Sequence, residues 1–213
     1  MQVRSCEGIS ANPTALLQEI LPDRNVKTKE MSQKKIMGYE KGERQMRTRR
    51  LGKTGLMVSE IGFGGEWLER HPEEESIELI KYASKKGINI LDCWMADPKS
   101  RNIIGEGIKE NRSQWFIQGH IGSTWKDNQY FRTRDMKYVR PAFEDLLKRL
   151  QTDYIDLGMI HYVDSEEEWE KIQHSDYLDY VMELKEKGII RHIICYFFPK
   201  AIGVASFSIL DGR

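Results

Sequence analysis

A chain of 213 residues with 39% hydrophobic and 10% aromatic side chains has a globular composition with enough apolar surface for a real core. Thirty-three Lys plus Arg balance thirty-three Asp plus Glu, and no uncharged apolar run approaches the ~20 residues of a transmembrane helix, so no membrane span is expected. Cys6, Cys93 and Cys195 are odd in number and widely spaced, which argues against a disulfide framework or a zinc ribbon and for a cytoplasmic protein.

Residues 1–45 lack sustained periodicity and are rich in Lys, Gln, Ser and Asn, so they are expected to be a disordered basic extension. Eleven basic residues fall within 24–53 against Glu30, Glu40 and Glu43. No aromatic interleaving or binding motif accompanies them, so a solvated leader is favoured over a nucleic-acid or acidic-membrane contact. Neither a signal nor a transit peptide is evident. The domain proper is expected over 46–213.

From Met46 onward, apolar strand-like runs alternate with helical patterns, which predicts repeated βα units and a parallel sheet. Gly62-Phe63-Gly64-Gly65 reads as a first strand. That glycine cluster lacks the third glycine and the acidic ribose partner of a dinucleotide fingerprint, so tight backbone packing is the better account of it. A helix over 72–86 carries Ile77, Ile80 and Ala83 on one face and stops at Gly87. Strands over 88–94, 115–120 and 154–163 and helices over 101–110 and 135–150 follow, the last with a stripe of Val139, Phe143, Leu146, Leu147 and Leu150.

Ser165-Glu166-Glu167-Glu168 is a capping box, and the helix it opens runs to Lys187 with a break near Ser175. Residues 189–195 form a fifth strand. Between strand three and the next helix, the stretch from Gln118 to Trp125 is unusually polar and aromatic; it reads equally as a pocket lining, with Trp94 and Trp125 candidates to stack on a planar ring, and as core or rim packing.

Three segments carry a family resemblance. Arg50-Leu51-Gly52-Lys53-Thr54-Gly55-Leu56-Met57-Val58-Ser59, Gly87-Ile88-Asn89-Ile90-Leu91-Asp92 and Leu150-Gln151-Thr152-Asp153-Tyr154-Ile155-Asp156-Leu157-Gly158-Met159-Ile160-His161 resemble aldo-keto reductases, in the right order, over residues 46–193. The resemblance implies an α/β fold of the (β/α)8 TIM-barrel type, here incomplete at about five of eight units, with an N-terminal β-hairpin. It also implies NADP(H)-dependent reduction of a small carbonyl substrate.

Asp92 matches the family's catalytic aspartate and His161 its histidine. The family's tyrosine, five residues beyond the aspartate, is replaced by Asp97, and its lysine, at the end of strand three, by His120. An ionised carboxylate cannot donate a proton and a histidine is not a permanent cation. The expected catalytic cluster is therefore Asp92, Asp97, His120 and His161, with Cys93 nearby. A histidine raised towards neutrality by the two carboxylates would be its general acid. The same inventory resembles an iron or zinc ligand set, and a vestigial polar rim is the bland reading. His174 and His192 read as surface or strand-end residues.

The resemblance places most NADPH contacts in the barrel's later half, so no cofactor-binding residue is assigned, tight binding by this chain is not expected, and no metal is assigned. After Ile193 the sequence leaves the family pattern, which reads as a frameshifted or truncated gene. A fifth strand ending the sheet would leave an open edge beside the apolar run 193–198, and self-association through it is expected. The alternative to an oxidoreductase is a non-catalytic barrel fragment serving as a binding or scaffold module.

Overall fold

The computed structural model describes residues 46–197 and 206–209. Chain contacts divide the sequence into Met1–Arg44 and Gln45–Arg213, and the described residues all fall in the second unit. The expected extension over 1–45 lies outside the described residues.

Strands β1 (Thr48–Arg50) and β2 (Met57–Ser59) form an antiparallel hairpin. A parallel sheet then builds through β3 (Phe63–Gly64), helix α1 (Glu73–Lys85), β4 (Ile90–Cys93), α2 (Pro98–Ile108) and β5 (Phe116–Ile121). A second hairpin, β6 (Ser123–Lys126) and β7 (Gln129–Arg132), stands between β5 and helix α3 (Met136–Leu150). Strand β8 (Ile155–Val163), helices α4 (Glu166–Gln173) and α5 (Asp176–Glu186), β9 (Ile190–Phe197) and β10 (Ser206–Ile209) complete the described chain. The sheet order is β10-β9-β8-β5-β4-β3, parallel from β3 to β9, and the whole corresponds to an incomplete (β/α)8 barrel.

Apart from α1, whose N-cap position is Pro72 with no side-chain cap, the helices start where the sequence supplies an oxygen for the free N–H groups of the first turn. The Asp135 carboxylate accepts from the Lys137 amide at 2.9 Å, Ser165 Oγ from Glu168 at 3.1 Å and Ser175 Oγ from Leu178 at 3.4 Å. Ser175 thus makes the expected break real by capping α5. The reciprocal arm of the capping box differs from expectation: Glu168 accepts from the Asp164 amide at 3.0 Å. Gly87, at φ +86°, ends α1 in a conformation that side chains rarely adopt.

The two faces of the sheet are unequally covered. Leu91, Ile117, Ile121, Ile155 and Ile160 of the strands and Ile80, Ile103, Ile108 and Leu146 of the helical layer are all fully buried. On the inner face Leu157, Met159 and Ile194 cluster beneath Leu51 and Leu56 of the first hairpin and Ile90. The neighbouring inner positions Gln118 and His120 are only partly covered.

One expectation is corrected. The fifth parallel strand does not end the sheet, because β10 pairs antiparallel along β9 with Ser206 opposite Phe197 and Ile209 opposite Ile194. That pairing satisfies backbone groups that an open edge would leave free. Ile193, Ile194 and Cys195 of the apolar run are buried. The Tyr196, Phe197 and Phe198 side chains lie outside the described residues.

Candidate active site at the C-terminal ends of the strands

Parallel strands align their C-terminal ends, and three adjacent ones bring Asp92 (β4), His120 (β5) and His161 (β8) together on the inner face. Gly65 makes the first placement possible. Its N–H donates to the Asp92 carbonyl at 2.8 Å, and a Cβ there would fall 2.7 Å from the same oxygen. The glycine cluster therefore serves close backbone approach. His161 sits where β8 is irregular: its pairing with β9 shifts register between Ile160 and Val163, and Tyr162 adopts φ +44°. Such bulges turn side chains out of the regular alternation and recur beside active sites.

The side chains form a continuous hydrogen-bonded line. Asp92 Oδ1 lies 3.0 Å from His120 Nε2 and accepts from Gln118 Nε2 at 2.9 Å. His120 Nδ1 meets His161 Nδ1 at 2.7 Å, and His161 Nε2 meets the Tyr130 hydroxyl at 2.6 Å. The Trp94 ring stacks on His161 at 6.0 Å with a 17° interplanar angle and meets Tyr130 edge-on at 5.3 Å. His161 is buried, whereas Asp92 keeps 37% of its side chain exposed. Protons can enter this line from solvent at the aspartate end.

Electrostatics at His161 run opposite to a carboxylate-raised histidine. Burial, followed by the proximity of His120, Arg134 and Arg132, pushes the His161 pKa down to about 3, so its imidazole is neutral at physiological pH. A histidine raised by two carboxylates is not what forms at this position. Desolvation outweighs charge here, and only one of the two carboxylates is in the line. The Cys93 thiol is buried and pushed up to about 12, which keeps it an inert neutral neighbour.

Asp97 is the expected site residue drawn elsewhere. It caps α2, accepting from the Ser100 amide at 2.7 Å, with Pro98 filling the first helical turn. Trp94 stacks on His161. Trp125 instead lines a cavity of about 250 Å³ with Ala96, Arg101, Phe131 and Lys137, a lining that contains none of Asp92, His120, Tyr130 or His161. Among the described residues no three His, Cys, Asp or Glu side chains gather as metal ligands would.

Tyr130 is the residue that sequence reasoning missed. It stands on β7, held opposite Trp125 by a two-residue turn whose Asp127 and Asn128 both have positive φ. An Asp-Asn pair between alternating strand-like tetrads is a hairpin signal, so the element was available to find.

Comparison with known proteins agrees with the fold. The chain is 34% identical over 165 residues to the aldo-keto reductase YhdN of Bacillus subtilis, covering 73% of this chain and 46% of that protein. An aldo-keto reductase structure from Pseudomonas aeruginosa superposes with a TM-score of 0.61 at 28% identity, over 74% of this chain and 63% of that one. A Klebsiella pneumoniae aldo-keto reductase, solved with NADPH, shares the fold at a TM-score of 0.55 and 20% identity, over 70% and 49% of the two chains. The chain thus spans about half the length of the curated relatives it matches. The sequence profile of the aldo/keto reductase family matches residues 60–201, and with the parallel barrel strands and the aspartate and histidine at their rim, the chain belongs to that family.

Proposed function

We propose that this chain carries the carbonyl-side half of an NADPH-linked oxidoreductase site, acting on a small aldehyde or ketone. The observation that supports the reading most directly is the line from Asp92 through His120 and His161 to Tyr130, placed at the C-terminal strand ends where barrel enzymes keep their chemistry. A hydrogen-bonding line anchored on a buried, neutral imidazole polarises a carbonyl oxygen better than water does, because its dipoles are already oriented. Catalytic roles for Asp92, His120 and His161 are part of this proposal. The buried free thiols Cys93 and Cys195 fit a reducing compartment, the cytoplasm.

The cofactor's diphosphate finds no free cation in Arg132 or Arg134, beside the end of β8. Such a group needs free backbone N–H groups or cations. The cations at the end of β8 are committed elsewhere: Arg132 pairs with Asp164 at 2.6 Å, and Arg134 donates to the His161 and Tyr162 carbonyls and to Glu168. The two Arg134 nitrogens that lack a partner are sealed from solvent. The 213-residue chain is therefore expected to bind NADPH weakly, with no micromolar affinity.

A second reading, a barrel fragment that binds without catalysing, draws support from Asp97 serving as a helix cap where the resemblance puts a tyrosine. One experiment separates the two. Reduction of 4-nitrobenzaldehyde by 1-benzyl-1,4-dihydronicotinamide, a donor without phosphates, should be accelerated by the chain, saturably in aldehyde, and His161→Ala should lose the acceleration. A rate equal to that of buffer would favour the binding module.

A further inference from the structure

We infer that Tyr130 is the proton donor of this site, the terminal group of a relay that runs from Asp92 through His120 and His161. The inference rests on the carbonyl-site reading above and adds a residue that neither the sequence motifs nor the family pattern supplies. Asp97, at the position where the resemblance expects the acid, caps a helix and cannot serve. The second hairpin instead brings a phenol to 2.6 Å from His161 Nε2.

The three short contacts fit two complete hydrogen-bond patterns that differ by one proton. In the resting pattern Asp92 is ionised and accepts from His120 Nε2–H. His161 Nδ1–H then donates to His120 Nδ1, and the Tyr130 hydroxyl donates to His161 Nε2. In the loaded pattern a proton from solvent sits on Asp92, which donates to His120 Nε2. His120 Nδ1–H donates to His161 Nδ1, His161 Nε2–H donates to the Tyr130 oxygen, and the phenolic O–H is released towards a ligand.

Delivery converts the second pattern into the first. The Tyr130 O–H bond breaks as its proton passes to the carbonyl oxygen, and the phenol takes the His161 Nε2 proton. His161 Nδ1 takes the proton of His120 Nδ1, and His120 Nε2 takes the one on Asp92. Each imidazole exchanges one N–H for the other and stays neutral, as the burial of His161 requires. One proton enters at the solvent-exposed aspartate and one leaves at Tyr130. The accompanying hydride belongs to a reductant of the reduced-nicotinamide class, which the described residues do not hold; the inference concerns the proton alone.

Carbonyl-¹³C benzaldehyde titrated into the full chain tests this without any cofactor. A hydrogen bond from Tyr130 should shift the bound carbonyl carbon downfield, saturably. Tyr130→Phe should abolish the shift and weaken binding about tenfold, while Tyr138→Phe leaves both unchanged. Global replacement of tyrosine by 3-fluorotyrosine, a stronger hydrogen-bond donor, provides a second arm that preserves the fold and should enlarge the shift. A downfield shift that survives in Tyr130→Phe, or is unmoved by fluorination, overturns the role of Tyr130 and leaves the carbonyl site standing. No saturable shift in the unmodified chain would remove the carbonyl site, and the relay with it.

Discussion

Asp156 near the start of β8 and His161 near its end are both almost fully buried at 1% exposure, yet the fold treats them in opposite ways. Asp156 is ringed by charge-assisted donors: Arg191 Nη1 at 3.0 Å, Arg112 Nη2 at 3.2 Å and the Ile117 amide at 3.0 Å. Arg112 also holds the Trp115 and Tyr154 carbonyls, and both guanidinium groups lie over the Tyr154 ring. Every contact there has a fixed donor and a fixed acceptor. The two imidazole nitrogens of His161 instead meet His120 and the Tyr130 hydroxyl, partners whose donor and acceptor roles can exchange. One end of the strand is built to stay as it is, the other to move a proton, which matches the division of barrel folds into a stabilising and a reactive face.

Removing charge from the fixed end should have the largest effect. Asp156→Ala leaves a buried amide without its acceptor and the mostly buried Arg112 without its counter-charge, and should cost about 3 kcal/mol of unfolding free energy. The half-exposed Arg191 is discounted because water screens it. Urea unfolding measures the loss, and a value below about 1 kcal/mol would show that the two ends are not so different.

The reactive end should reveal itself through pH. Because the folded His161 pKa is depressed from 6.5 to about 3, the unfolded chain binds the extra proton first. Its contribution to stability is complete above pH 6.5 and is lost as pH falls below that value, by about 1.4 kcal/mol per pH unit. From pH 6.5 to 5 the loss attributable to this residue is about 2 kcal/mol. Comparison with His161→Asn isolates it from other titrating groups; equal pH slopes in the two proteins would refute the depression.

The smallest effect is expected at Asp97. Asp97→Ala removes a helix cap and should cost about 1 kcal/mol, with the aldehyde shift unchanged. A lost shift would return Asp97 to the site.

Much of the fold was legible because its signals are local. Alternating βα patterns, the serine cap at Ser175 and the stop at Gly87 each depend on a few neighbouring residues. So does the Asp97-Pro98 pair, whose capping role was readable from an N-cap oxygen followed by proline, although the family pattern drew attention to its position instead. Asp92, His120 and His161 were found because parallel strands carry residues at their ends to one rim. Tyr130 was not, because its hydroxyl meets a histidine 31 residues away across a hairpin, and that encounter is a matter of packing. The lowered pKa of His161 was not legible, because counting carboxylates ignores burial. The pairing of β10 with β9 depends on register between segments whose sequence had left the family pattern.

Imidazole ¹⁵N NMR of the histidine-labelled chain between pH 5 and 8 measures the central claim most directly. The predicted result is a neutral His161 ring coupled to its neighbours: His161 without the ordinary titration near 6.5, its Nε2 resonance moving in Tyr130→Phe and its Nδ1 resonance in His120→Asn. A His161 that titrates near 6.5 with both nitrogens indifferent to those substitutions would contradict the relay at its centre.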